Sequence, residues 1–168
     1  MSAVRLAHRV TDGPAGPPVV LLHGLGETAG TWERFALELA GSRTSIALDL
    51  RGHGASPRPG VYTVDPPARP PGPLNFDWEL VAPMRRALRA PNPLSWQGVE
   101  RLAIPTLWIS GGPASHLDPA RVAEAATAMP NATTATVPVG HLVHDDAPDD
   151  FARLVIPFLS ADGEPPTP

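Results

Sequence analysis

The chain has 168 residues, which is the usual length of a single domain with a buried core. Its net charge is −4 and its thirteen basic residues are all arginines scattered along the sequence, which excludes a nucleic-acid-binding surface and a lysine Schiff base. The absence of cysteine excludes disulfides, thiolate nucleophiles and cysteine-ligated metal sites.

The first predicted elements are an edge strand at 4–10 and then a strand, a turn and a helix. The run PVVLL at 18–22 is too short for a helix and lies between turn residues, so we expect a strand buried on both faces. The glycine-rich turn HGLG at 23–26 follows at its carboxyl end, where open α/β sheets bind ligands. The helix is indicated by apolar residues spaced i, i+3, i+4 and i+7, namely Trp32, Phe35, Ala36 and Leu39.

A second strand at 45–50 and a second glycine-rich turn, RGHGAS at 51–56, complete a right-handed βαβ unit. Proline then interrupts the pattern, and only 61–65 has the composition of a short strand. Helical spacing returns in a lid-like insert that we place at 68–102, with Asn75 or Asp77 as its N-cap.

The last third of the chain predicts a strand at 106–110, a helix around 122–129, a strand at 133–137 and an amphipathic helix from Phe151 to Phe158. Alternating strands and helices predict an α/β fold with a mostly parallel, doubly wound sheet. We assign residues 1–160 to one abbreviated domain and the proline-rich residues 161–168 to a disordered tail. Charges in residues 1–9 and the lack of an apolar run near 20 residues predict a soluble cytoplasmic protein.

Four motifs in this order resemble those of the α/β-hydrolase fold superfamily. HGLG at 23–26 is similar to the family's HGxG oxyanion turn, and DLRGHGAS at 49–56 is similar to its D-x-R-G-x-G-x-S turn. Residues 106–112 resemble the penultimate strand, and VGHLVH at 139–144 resembles the turn that carries the catalytic histidine. The resemblance covers nearly the whole chain and implies hydrolysis of a small ester or related acyl compound through an acyl-enzyme, without a cofactor.

The nucleophile of that family is absent from the sequence. The family carries it in a G-x-S-x-G elbow, between the second and third of these motifs. Neither G-x-S-x-G nor an Asp or Cys variant in an equivalent turn occurs anywhere in the chain, and Ser56 lacks the elbow context. Because a βαβ unit needs about 30 residues or more, roughly 60 residues, including the central strand, are missing by comparison with the family.

The resemblance assigns roles to the residues that remain. His141 corresponds to the general base, and the backbone N–H of Leu25 corresponds to one of the two oxyanion donors. Gly24 and Gly26 flank that donor and let a substrate approach the backbone closely. Trp78 corresponds to the lid segment that lines the substrate pocket, and a place in the core explains it equally well.

The acid that orients His141 has three candidates. Asp65 resembles the placement in family members that carry the acid after the preceding strand, and a turn-forming aspartate is the alternative. Ser115 occupies the commoner acid position and could still bond the imidazole, while Asp118 is better explained as a helix N-cap. We expect no metal site, because the histidines have no i, i+4 pair or spaced cluster.

Two functional hypotheses follow. In the first, the protein is an impaired, esterase-like hydrolase that retains weak activity through attack of water assisted by His141. In the second, it is a non-catalytic remnant that binds a ligand or a partner chain, or a deletion product without a role. The missing strand leaves unpaired edges, so we also expect a homo-oligomer that covers the incomplete sheet. The expected partner is a small acyl substrate or analogue, with no nucleic acid and no membrane.

Overall fold

The structure, a computed structural model, describes residues 4–58, 71–82, 86, 98 and 101–160. The chain divides into two compact units, residues 1–92 and 93–168. This boundary falls inside the insert predicted at 68–102, and the single domain predicted for 1–160 stays a prediction. The strand predicted at 61–65, with Asp65, and the tail predicted at 161–168 lie outside the described residues.

The first unit contains a three-stranded sheet with the strand order β1-β3-β2. Its strands are β1 (His8–Thr11), β2 (Val19–Leu22) and β3 (Ser45–Leu48). β2 and β3 run parallel with Val19 opposite Ser45, whereas β1 runs antiparallel to β3. Parallel strands need a crossover connection, and a 3-10 helix at Ala29–Trp32 followed by α1 (Glu33–Leu39) supplies it.

The crossover helix is the one that the apolar spacing predicts. Phe35, Ala36 and Leu39 are its buried residues, and Leu39 is fully inaccessible to solvent. The 3-10 helix in front of it is capped by Thr28, whose hydroxyl accepts the N–H of Gly30 at 3.2 Å. The apolar face of α1 therefore forms the core of this unit together with the buried side of the sheet.

β2 is buried on one face only, and the expectation of two buried faces is wrong. Val20 and Leu22 are 54% and 55% exposed, whereas Leu21 between them is buried. Alternate residues of a strand share a face, so Val20 and Leu22 together form an exposed apolar surface. Among the described strands β2 pairs only with β3, which places it at an edge of this sheet.

The second unit contains a two-stranded parallel sheet of β4 (Thr106–Ser110) and β5 (Ala132–Thr136). The crossover helix α2 (Pro119–Thr127) begins at Asp118, whose carboxylate accepts the Ala120 N–H at 2.9 Å. After β5 the short helix α3 (Val143–Asp146) leads into α4 (Pro148–Ser160). The strands and long helices predicted for this part of the chain are confirmed. None of the described helices is long and apolar enough to cross a membrane.

The ends of β4 and β5 approach each other so closely that only glycine fits at residue 111. The Gly140 N–H donates to the Gly111 carbonyl at 3.0 Å, and a Cβ on Gly111 would overlap the Gly140 carbonyl. Gly112 and Gly140 have φ values of +72° and +108°, which side chains disfavour. This junction fixes the loops that leave both strands.

We expect Gly111→Ala to lower the free energy of unfolding by about 1–3 kcal/mol, because the backbone of one strand end must move to admit the methyl group. Gly41→Ala is the matched control, since a Cβ there meets no atom within 4 Å. Urea unfolding followed by circular dichroism measures both variants. Equal stability of the two would contradict the close approach of Gly111 and Gly140.

Candidate functional site

The predicted oxyanion turn at 23–26 follows β2 directly and is closed by local hydrogen bonds. The Glu27 N–H donates to the Gly24 carbonyl at 3.3 Å, and the Glu27 carboxylate accepts the Gly24 N–H at 2.9 Å. Gly26 has a φ of +89°, in the left-handed region. The turn thus uses the Gly24 N–H internally and leaves Leu25, 44% exposed, at its tip.

His23 holds this turn from inside the unit. Its Nε2 accepts the Leu50 N–H at 3.0 Å, so the ring proton lies on Nδ1, which donates to the Gly24 carbonyl at 2.7 Å. The side chain is 5% exposed and both of its nitrogens are engaged. His23 is therefore a structural residue that ties the oxyanion turn to the end of β3.

Asp49 is the buried residue that sequence reasoning missed. Its two carboxylate oxygens accept the N–H groups of Ala29 at 2.7 Å and Ala55 at 2.8 Å. A Cβ on Gly54, whose φ is +51°, would collide with the same carboxylate. Burial on its own would raise the pKa of Asp49, but the two backbone hydrogen bonds, aided by the charge of Arg9, hold the pKa below its ordinary value.

Ser56 closes the second glycine-rich turn and is not placed as a nucleophile. Its hydroxyl donates to the Asp49 carbonyl at 2.6 Å and accepts the Ala7 N–H at 2.8 Å. The side chain is 4% exposed. Ser56 therefore connects this turn to the segment that precedes β1, and the D-x-R-G-x-G-x-S pattern is a structural motif here.

Residues 71–78 pack against the second turn. Phe76 forms an antiparallel bridge with His53 and stacks on its ring at a centroid distance of 5.7 Å. The same phenyl ring lies near the position that a Cβ on Gly26 would take, at 3.7 Å. Trp78 begins a 3-10 helix, Trp78–Leu80, capped by Asp77 as predicted, and its ring lies 6.2 Å from that of Phe76. An aromatic group thus lies beside the oxyanion turn.

His53 is neutral in this setting. Burial lowers its pKa, and although the Arg51 carbonyl lies 3.3 Å from its Nδ1, its Nε2 is buried without a hydrogen bond from any described residue. Its ring also lies 4.9 Å from that of His23. The Phe76 ring is thus stacked on an uncharged His53 imidazole at the second glycine-rich turn.

His141 lies in the loop after β5 and is exposed. It directly follows Gly140, whose backbone is bonded to Gly111 at the end of β4. The imidazole ring lies with its centroid 3.8 Å from that of His116, which sits in the loop after β4. The predicted base therefore lies on a loop anchored by the Gly140–Gly111 hydrogen bond. Its neighbour in the described part of the second unit is a second histidine, His116.

The residues around the commoner acid position form a compact turn. The Ser115 hydroxyl accepts the Leu117 N–H at 3.2 Å, and the Ser115 N–H donates to the Gly112 carbonyl at 3.0 Å. Asp118 caps α2, as predicted. Of the predicted site residues, Gly24, Leu25, Gly26 and Trp78 thus lie in the first unit, Ser115 and His141 lie in the second, and Asp65 lies outside the described residues.

We expect Asp49→Asn to lower the free energy of unfolding by about 1–3 kcal/mol at pH 7, because an amide cannot accept both backbone N–H groups. The pKa of Asp49 is lower in the folded protein than its ordinary value of 3.8, so the ionised carboxylate stabilises the fold above that value. This contribution is lost as the pH falls through the lowered pKa.

Urea unfolding of wild type and Asp49→Asn is measured at pH 7 and at about pH 3. The difference in the free energy of unfolding between the two proteins should be smaller at the lower pH. Asp118→Asn is the control, because asparagine caps a helix as well as aspartate does and the site is exposed. A difference between wild type and Asp49→Asn that is independent of pH would contradict the role assigned to the charge.

Comparison with known proteins finds a family model that matches the part of the chain containing these turns. The family model of the alpha/beta hydrolase fold matches residues 17–95, which contain both glycine-rich turns. An uncharacterised protein of Mycobacterium bovis is 44% identical over 55 residues, 33% of this chain and 16% of that protein. An sn-1-specific diacylglycerol lipase of Mus musculus is 40% identical over 57 residues, 33% of this chain and 19% of the lipase. The chain therefore spans less than a fifth of either relative.

Solved structures show the same fold over a longer stretch. A thermophilic esterase from Thermogutta terrifontis superimposes with a TM-score of 0.68 and 16% identity, covering 96% of this chain and 95% of the esterase. At this identity the likeness shows the fold alone. Together with the matched turns, these findings show that the chain has the α/β-hydrolase fold.

Proposed function

We propose that this protein is an impaired esterase-like hydrolase in which His141 assists the attack of water on a small acyl substrate. The observation that carries the proposal is the setting of His141, an exposed imidazole on a loop fixed by the Gly111–Gly140 hydrogen bond. Water takes the role of the nucleophile because the sequence has no G-x-S-x-G elbow.

The chemistry needs few groups. His141 accepts a proton as the water oxygen bonds to the acyl carbon and an oxyanion develops on the carbonyl oxygen. By the resemblance to the α/β-hydrolases, the Leu25 N–H is the donor assigned to that oxyanion. Collapse of the tetrahedral intermediate breaks the ester bond, and the proton on His141 passes to the leaving alcohol. With one oxyanion donor in place of two, the rate is lower by about 10²–10³.

The remaining site residues have supporting roles in this proposal. Asp65 is our first candidate for the acid that orients His141. Ser115 is the second candidate partner of the imidazole, because its hydroxyl oxygen has a second lone pair that can accept the ring N–H. Gly24 and Gly26 shape the turn that the acyl group approaches, and Trp78 contributes to the pocket wall beside Phe76. In this proposal the substrate is a small acyl compound and the protein is cytoplasmic.

We expect His141→Ala to lower the rate of p-nitrophenyl acetate hydrolysis by about 10²-fold, at the lower end of what a general base contributes. Surface imidazoles also hydrolyse activated esters, so His8→Ala, which removes an exposed histidine of β1, is the matched control. The control should keep the wild-type rate. Equal rates for wild type and His141→Ala would rule out the proposed activity.

A second candidate function, binding of a partner chain, is favoured by β2. The strand is uncharged, Val20 and Leu22 on it are about half exposed, and no described strand pairs with its outer edge. Natural proteins protect such edges with charges, proline or a covering element. In this candidate a second copy of the chain covers the edge, since an uncharged strand meets no electrostatic repulsion from its own copy.

We expect Val20→Lys to convert an oligomer into a monomer, because a charge on an edge strand opposes pairing with a second strand. Leu37→Lys is the control, since Leu37 is 67% exposed on α1, away from the strand edge. Light scattering over a range of protein concentrations reports the mass. A wild-type protein that is monomeric throughout, or two variants with the same mass as wild type, would exclude pairing through β2.

A further inference from the structure

Two imidazoles meet at the carboxyl end of the sheet in the second unit. The ring centroids of His116 and His141 are 3.8 Å apart and their planes are inclined by 42°. Both side chains are exposed, so an ion can reach them from solvent. The two residues come from the loops after β4 and β5, which the parallel register of the strands brings side by side.

Both loops are anchored close to these histidines. The Gly111–Gly140 hydrogen bond joins the strand ends, and the Val137 N–H donates to the Ser110 carbonyl at 2.8 Å. On the other side of the pair, the Ser115 hydroxyl bonds the Leu117 N–H across His116. The backbone that carries the two rings is therefore set before any ligand binds, which reduces the entropy lost on binding.

We propose that His116 and His141 form a binding site for a divalent transition-metal ion such as Zn²⁺, Ni²⁺ or Cu²⁺. Imidazole nitrogen is a preferred ligand for these ions. Two nitrogens bound to one tetrahedral Zn²⁺ at 2.0–2.1 Å lie about 3.3 Å apart. The ring centres of such a pair lie about 5 Å apart. The rings of His116 and His141, with centres 3.8 Å apart, must therefore move apart by rotation about their side-chain bonds to bind one ion.

The site has an open coordination shell. No third histidine or carboxylate of the described residues completes a three-ligand group with this pair, so water molecules fill the remaining positions. Such a site exchanges its metal with solvent, unlike a closed structural zinc site. Oxygen-preferring ions such as Mg²⁺ gain little from two imidazoles and should bind poorly.

The charge of the surrounding sequence favours a cation. Four aspartates follow His141 within ten residues, and the first arginine after them, Arg153, is bonded to one of them, Asp150. Asp118 stands two residues after His116. The local excess of carboxylates raises the concentration of divalent cations near the pair. These carboxylates support the site electrostatically, whereas the ligands are the two imidazoles.

Metal binding at this pair does not rest on the proposed hydrolysis, since it is measured without turnover. The two properties share His141, whose unprotonated nitrogen either accepts a proton or binds the metal. A bound ion therefore blocks the base, and removal of His116 weakens the metal site while leaving the imidazole of His141 in place.

The test is equilibrium dialysis of the untagged full-length protein against Zn²⁺, with Mg²⁺ in a parallel series. We expect one Zn²⁺ per chain in the wild type, and a loss of affinity of at least about tenfold in His116→Ala and in His141→Ala. His8→Ala, which removes an exposed histidine of the first unit, should bind Zn²⁺ as the wild type does. Wild-type affinity in both loop variants would overturn the proposal, as would equal binding of Mg²⁺ and Zn²⁺.

A spectroscopic readout separates loss of a ligand from loss of folding. Electron paramagnetic resonance of the Cu²⁺-loaded wild type should show two imidazole nitrogens bound to the ion, and His116→Gln should show one. Circular dichroism of both samples records whether the fold is kept. A Cu²⁺ spectrum that is the same in wild type and in folded His116→Gln would overturn the assignment of His116 as a ligand.

Discussion

The buried carboxylate of Asp49 is the interaction on which the rest of the first unit depends. It joins Ala29, in the helix that follows the oxyanion turn, to Ala55, in the turn that follows β3. Two backbone N–H groups replace the water that an ionised carboxylate loses on burial. Residue 54 must be glycine because a side chain there would collide with the Asp49 carboxylate. The Ser56 hydroxyl donates to the backbone carbonyl of Asp49. One aspartate therefore sets the shape of both glycine-rich turns.

The sequence predicts where the helices and strands lie better than it predicts which of their residues are buried. Spacing of apolar residues locates α1 and the strands of both units, because that periodicity is a property of each segment alone. It cannot show that Val20 and Leu22 are exposed, since burial depends on which neighbouring strand is present. The structural role of Asp49 could not be predicted for a related reason. Its partners are the backbone N–H groups of two alanines, and any residue type except proline supplies such a donor.

The oxyanion turn and the loop of His141 are each held by contacts within their own unit. His23 and Glu27 close the first, and the approach of Gly111 to Gly140 closes the second. Neither set of contacts involves a nucleophile elbow, so the absence of G-x-S-x-G from the sequence does not remove the supports of either loop. This explains how a chain can keep the family's recognisable turns without the residue that forms the acyl-enzyme.

The contact between His116 and His141 shows most clearly what sequence cannot supply. Histidines on two loops become neighbours only when β4 and β5 pair in their parallel register. The pair has no i, i+4 spacing by which the sequence could predict it. The same contact changes the chemistry open to His141. In the α/β-hydrolases that the chain resembles, the corresponding histidine is paired with an acid whose negative charge makes the imidazole a stronger base. A second imidazole carries no fixed negative charge. Two imidazoles offer two nitrogen ligands to one metal ion, which is the basis of the site proposed at this pair.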